Sequence, residues 1–282
     1  MVLESLLNPT IAKRKPFEVL LFGAFSSSLA LFLSYWIFRE YSSLIMVFLI
    51  TLASVPLLYF TNTSEEEFDV RTLGELIILK EHSRVLLFLM ALFIGMTLSL
   101  SLWYVVLPTE MTAVLFSSQS QTIVDINNHI SGNVTHASIT MRIFFNNVRV
   151  LLFSVIFSFL YGVGALFILA WNSTVIAAAI GNLARKNIAA IAESVGFHQV
   201  GVYFSAFSFG ILRYLIHGIP EILAYFVGGL AGGIISVAVI NKDIFNRSSE
   251  RILYDVAELL LIAVALLFGA AIIEVYVTPV LF

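Results

Sequence analysis

Arg213, His217 and Glu221 stand four residues apart in an otherwise apolar stretch. Each step of four drifts by only about 40° around a helix, so the three side chains would form one stripe. A cation, an imidazole and a carboxylate together allow charge pairing, anion binding or proton transfer, and each is costly in hydrocarbon. Arg149 falls at a similar expected depth and is expected to pair with Glu221. Just before it, Asn146 and Asn147 lie in Phe-Phe-Asn-Asn-Val-Arg. Helix capping would account for Asn146. Two adjacent amides beside an arginine exceed a cap and suit hydrogen bonds between helices, worth about 0.6 kcal/mol each and up to about 2. Glu258, with Asp255 and Arg251 nearby, reads either as part of an interfacial charge pair or as a proton or ion relay. Gly228, Gly229, Gly232 and Gly233 make two overlapping small-xxx-small patterns, suited to close helix packing within the chain or to homodimerisation.

The setting for these residues is a membrane. The chain has 282 residues, of which 60% are hydrophobic and 12% charged, and its mean hydropathy is +0.98. A soluble domain carries about 25% charged residues, so a water-soluble enzyme, a disordered chain and a secreted disulfide scaffold are all excluded. With no cysteine, disulfides, thiol catalysis and cysteine–zinc sites are excluded too. The net charge of −3 carries little information. No cleavable signal peptide is visible: the first apolar run is long and ends in Trp-Ile-Phe-Arg-Glu.

A span needs about 20 apolar residues, and seven stretches qualify: Val19–Phe38, Leu44–Phe60, Val85–Leu107, Val148–Trp171, Phe197–Ile216, Glu221–Ile240 and Leu253–Thr278. The expected fold is therefore an all-α polytopic bundle forming one integral membrane domain over residues 1–282. Lys and Arg favour the cytoplasmic side. With the N-terminus inside and the C-terminus outside, Lys13, Arg14, Lys15, Arg71, Lys80, Arg84, Arg185, Lys186, Lys242, Arg247 and Arg251 face the cytoplasm. Arg39, Arg142, Arg149 and Arg213 do not. Trp36, Trp103 and Trp171 fall near expected helix ends, where interfacial anchors belong.

The connections follow. Residues 61–84, 172–196 and 241–252 become cytoplasmic, and residues 108–141 a large outer loop. Within that loop Ile123, Ile126 and Ile130 recur at helical spacing, so part of it is expected to lie on the membrane as a helix. Leu73–Leu79 reads as an interfacial helix. The Ala-rich 172–196 stretch reads as an amphipathic surface helix or one whose first half dips into the bilayer. Residues 202–240 as one helix would measure about 58 Å, roughly twice the hydrocarbon core. A break is therefore expected at Gly218 and Pro220. That break makes Arg-Tyr-Leu-Ile-His-Gly-Ile-Pro-Glu a hairpin, with Glu221 at a helix N-terminus where the dipole favours its charge.

The stripe then has two readings: caps of a tight hairpin, or a polar pocket in the outer half of the bilayer. Other chemistry finds no motif. His-Glu-x-x-His, the rhomboid Gly-x-Ser-Gly and the Walker A pattern are all missing. Glu66-Glu67-Phe-Asp-Val-Arg71 matches the Glu-Glu-x-x-x-Arg of intramembrane prenyl-protein proteases, but it lies in a polar loop without the companion Phe-x-x-x-His. Asp125, His129 and His136 are better read as solvated loop residues than as metal ligands. No cofactor and no nucleic-acid partner are implied.

Phe145-Asn-Asn-Val-Arg-Val-Leu-Leu, Tyr161-Gly-Val-Gly-Ala-Leu, Trp171-Asn172 and His217-Gly-Ile-Pro-Glu221, with the Gly-rich stretch that follows, resemble the stage II sporulation protein M family over roughly residues 85–240. Two positions depart from the family pattern: Ser173 stands where Gly is usual after Asn172, and Ile216 where Pro usually precedes His-Gly. The resemblance implies a multi-pass membrane protein without known enzymatic activity. In spore formers, members help anchor a peptidoglycan-remodelling complex; others occur where no spore forms. It carries over Asn146, Asn147, Asn172, His217, Gly218 and Glu221 as family motif residues. The expected function is a non-enzymatic scaffold or membrane-remodelling partner in the cell membrane. It is expected to be homo-oligomeric, in contact with lipids, and to dock proteins through its outer loop or cytoplasmic helices. The alternative is a transporter, channel or lipid permease working through Arg149, Arg213, His217 and Glu221.

Overall fold

The computed structural model describes residues 16–66, 75–130, 135–161, 164–192, 199–240 and 249–281. Among these every regular element is helical. In chain order they are α1 (Pro16–Ile37), a 3-10 turn (Arg39–Tyr41), α2 (Ser42–Glu66), α3 (Glu75–Val106), α4 (Thr109–Leu115), α5 (Ser117–Ile130), α6 (His136–Tyr161), α7 (Gly164–Ala192), α8 (Gln199–Ile240), α9 (Ser249–Ile272), a π-turn (Ile273–Val277) and α10 (Thr278–Leu281). Seven stretches are long and apolar enough to cross a membrane: Pro16–Ile37, Arg39–Leu57, Leu87–Val106, His136–Phe159, Leu166–Lys186, Tyr214–Ser236 and Ile252–Leu281.

The number of spans matches the sequence reading, but the fourth, fifth and sixth are drawn differently. The stretch expected as one span over Val148–Trp171 is divided between α6 and α7. Gly164 opens α7 where any Cβ would overlap Phe157 and Ser158 of α6, so glycine is what lets the chain return so close to the helix it has just left. The region expected as an outer loop is helical in α4, in α5 and in the first turns of α6. The 172–196 stretch, expected on the cytoplasmic surface, is for most of its length the second half of a spanning helix. Its alanines are only mildly hydropathic, but Ala177, Ala178, Ala179 and Ala184 are buried. Small side chains of this kind let neighbouring backbones approach, which is how helices associate in lipid.

The second correction concerns Gly218 and Pro220. They do not break the chain: α8 is one helix of 42 residues with Pro220 inside it. Its length is about 63 Å, and within it Tyr214–Ser236 is the stretch long and apolar enough to cross a membrane, so the chain makes no hairpin here. A membrane helix tolerates an internal proline when neighbours re-satisfy the freed carbonyl. Glu221 therefore lies inside a span and not at a helix N-terminus, and the dipole argument for its charge falls away. Lys13, Arg14, Lys15, Arg71, Lys242 and Arg247 lie outside the described residues.

The helices sort into two compact units, Met1–Ser120 with Ala170–Ala178, and Gln121–Leu169 with Ala179–Phe282. In the first unit α1 and α3 run parallel. Ser28 and Ser99 share a hydrogen bond of 2.7 Å, Ser99 donates to the Ala24 carbonyl at 3.0 Å, and Trp103 Nε1 donates to Ser28 at 2.9 Å. A Cβ on Gly95 would strike the Leu20 backbone, and one on Gly23 would meet the Leu92 carbonyl at 2.5 Å. Trp103, expected as an interfacial anchor, thus also ties two helices. Elsewhere in this unit the fully buried Gln119 donates to the Ser43 carbonyl at 3.3 Å and to Thr174 Oγ1 at 3.1 Å.

In the second unit α6 and α8 run parallel, with α9 antiparallel to both. Phe144 meets Phe268 edge-on at 5.6 Å, and His136 faces Tyr276 at 5.7 Å. Along α8 a Cβ on Gly228 would overlap Leu151, and one on Gly232 would strike the Val155 carbonyl. These two glycines therefore serve packing within the chain. Gly229 is buried, and Gly233 has open space where a Cβ would stand.

Candidate functional site: an intramembrane polar cluster

The centre of the site is Glu221, held in the α8 span and half-buried. The buried Asn147 of α6 donates from Nδ2 to Glu221 Oε1 at 2.6 Å. One helical turn further along α8, Tyr225 is buried, and its carbonyl accepts a hydrogen bond from Ser154 of α6 at 3.0 Å. The α6–α8 seam is therefore tied at two levels above the glycines. The third wall comes from the end of the last span. The π-turn packs against both α6 and α8 and carries the half-buried Glu274. Thr278 Oγ1 donates to the Ile273 carbonyl five residues back at 3.1 Å, satisfying one acceptor of the widened turn. Such single π-turns inside α-helices are frequent at functional sites.

Chemically, a carboxyl group and a carboxamide meet between α6 and α8, with a second acid on the turn packed against both helices. They offer oxygen acceptors and one amide donor, with Asn147 fixing the direction in which Glu221 points. That is a place for a proton or a small cation, or a polar tie between helices.

The sequence-predicted residues meet here only in part. Asn147 and Glu221 join directly. Asn146 and Arg149 are exposed on α6, so Arg149 does not supply the expected partner of Glu221; neighbours on a helix diverge by about 100° and only one of the two asparagines can face α8. His217 is half-buried one turn before Glu221, its ring 5.9 Å from that of Tyr214, and Gly218 is buried. The Arg213 and Arg251 side chains lie outside what is described. Asn172 is half-buried in the part of α7 that belongs to the first unit. Glu258 and Asp255 are both exposed on α9.

Glu274 escaped the sequence reading, although the signal was present: an acid inside the long apolar run of the last span. Tyr225 and Ser154 carried no such signal. Tyr225 is one aromatic among many, and its contribution is a backbone carbonyl.

Fold and site together define an all-helical, multi-pass membrane protein with a polar cluster inside its spans. The chain belongs to the Stage II sporulation protein M family, whose model matches residues 84–279. The match runs past the Gly-rich segment into the last span, and so covers α6, α8 and the turn that carries Glu274. Comparison with curated proteins and with solved structures returns no match.

Proposed function

We propose that this chain is a non-enzymatic membrane scaffold or remodelling partner similar to stage II sporulation protein M, acting in the cell membrane. One observation carries the reading: the family motif residues serve to join helices. Asn147 and Glu221 tie α6 to α8 at 2.6 Å, and Gly228 and Gly232 admit α6 side chains and backbone further along the same seam. Partners would then be lipids, a second copy of the chain, and proteins docked on its outer or cytoplasmic helices. We keep the N-in, C-out orientation as part of the proposal. With the spans of the structure, nine of the fifteen basic residues fall on the inner side, because Arg185 and Lys186 move to the outer end of the fifth span.

A transporter or permease is the second reading, favoured by Glu274: a second intramembrane acid, on the turn packed against α6 and α8, is more than an interhelical tie requires. Arg149 being exposed removes one cation from the anion pocket first expected. Reconstitution decides between the two. Purified protein in phosphatidylcholine–phosphatidylglycerol vesicles is expected to move ions, protons and fluorescent lipids no faster than empty vesicles. Movement that is lost in Glu221→Gln or Glu274→Gln, with the fold intact, would overturn the scaffold reading.

A further inference from the structure

We infer that the cleft between the 3-10 turn and α4 binds the headgroup of phosphatidylethanolamine, with its phosphate on Arg39 and its primary ammonium on Glu40. The cleft has a volume of about 450 Å³ and is lined by Arg39, Glu40, Ala113, Val114 and Ser117. Ordinary small-molecule sites measure roughly 300–1,000 Å³. All five residues belong to the first compact unit. Arg39 and Glu40 follow the end of the first span, and the other three follow the end of the third within a few residues. Phe32 meets Trp103 as Ser28 meets Ser99, so α1 and α3 run parallel and these two ends lie on one side of the membrane. The cleft is therefore at the depth of lipid headgroups.

Polar bonds beside the lining residues tie the two walls together. Ser43, two residues after the 3-10 turn, shares a hydrogen bond of 2.8 Å with Ser118, the neighbour of Ser117. The Ser43 carbonyl also accepts from the buried Gln119 at 3.3 Å. The turn and the corner between α4 and α5 are thus held at a fixed separation, and α4 packs on the turn, α1 and α2. The Arg39 guanidinium lies 5.4 Å from the centroid of the Tyr35 ring, a cation–π contact that restricts where the charge can point. Arg39, Glu40 and Ser117 are exposed, so a ligand can reach all three.

Opposite charges on one cleft select the ligand. A guanidinium takes a phosphate through two parallel N–H···O bonds. A carboxylate beside it repels that phosphate unless the ligand brings a positive charge of its own. Ethanolamine brings one, two carbons from the phosphate ester oxygen, and its ammonium donates N–H bonds to Glu40. Choline carries the charge but no N–H, and a glycerol headgroup carries no positive charge. Glu110 is exposed on the same α4, a further acid that disfavours a headgroup of net negative charge. Ser117 adds a hydroxyl donor for the phosphate, and Ala113 and Val114 offer an apolar wall to the glycerol. Trp36, Phe38 and Tyr41 are 81%, 45% and 67% exposed around the turn. Trp and Tyr in such belts sit among headgroups, which favours a lipid over a soluble phosphate ester. The inference goes beyond the scaffold and permease readings and rests only on the chain crossing a membrane; the vesicle flux assay and the binding test can each fail without the other.

Lipid titration of the delipidated full chain in detergent, read by native mass spectrometry, tests the inference. Phosphatidylethanolamine, phosphatidylcholine and phosphatidylglycerol are compared with identical acyl chains. The first is expected to bind about tenfold more tightly than either of the others, the effect of one charge-assisted hydrogen bond. Glu40→Gln should abolish the preference over phosphatidylcholine, and Arg39→Gln should weaken all three lipids. Ala113→Trp, which fills the cleft, should weaken them as well. Phosphatidylethanolamine with a photoreactive headgroup should crosslink to residues 39–41 or 113–117 of the wild type. If a variant does not fold, that crosslink decides. Equal binding of the three lipids, tighter binding of phosphatidylglycerol, variants that bind as the wild type does, or a crosslink elsewhere in the chain would overturn the proposal. So would displacement of the lipid by an equal concentration of free phosphoethanolamine, since the ligand would then be a soluble ester.

Discussion

Asn147 shows how much can hang on one rotational position. It and Asn146 are adjacent and chemically identical, yet one is buried on Glu221 and the other is exposed. Asn147→Ala is expected to cost about 1 kcal/mol, the upper part of the range for polar ties between membrane helices. Asn146→Ala should cost close to nothing, and thermal unfolding of the two variants in the same detergent checks the difference. The sequence marked both residues because amides are uncommon in apolar runs. It could not choose between them, since the choice depends on which face of α6 meets α8. Glu274 was the reverse case: the residue type was a sufficient signal, but the packing of its turn on α6 and α8 exists only in the tertiary structure.

At the scale of helices, small residues set the distances. Gly95→Leu should separate α1 from α3, because the new side chain would enter the Leu20 backbone and backbone cannot swing aside. Overpacking of this kind costs about 1–3 kcal/mol, and a fall in melting temperature beyond that of the control Gly233→Leu, which enters open space, would report it. Pro220 invites a different test. If it ended a helix, Pro220→Ala would fuse two elements and disturb the fold. In one continuous α8 the same change restores a donor and a good helix former. Pro220→Ala is therefore expected to be at least as stable as the wild type by thermal unfolding. Hydropathy and breaker rules misplaced this boundary because they assume that a glycine and a proline end a helix, and α8 runs through both.

For the whole molecule the decisive question is which segments cross. The chain has no cysteine, so single cysteines report sidedness directly. His136→Cys and Lys186→Cys are expected to react with an impermeant maleimide from the same side, because α6 and α7 together make two crossings. Labelling from opposite sides would instead restore a single span over Val148–Trp171. Composition alone determined that this is a helical membrane protein, because a chain with 12% charged residues cannot cover a soluble surface. The number of apolar stretches that can cross was also legible, since length and hydropathy are local properties. The family was readable from short motifs whose residues lie close in sequence. Tertiary structure alone decided which motif residues meet. An apolar residue loses nothing by facing lipid or protein, so hydropathy is blind to helix rotation and to the partner of each face. The Asn147–Glu221 bond, the glycine seam beneath it and the packing of the π-turn on α6 and α8 all depend on those two quantities.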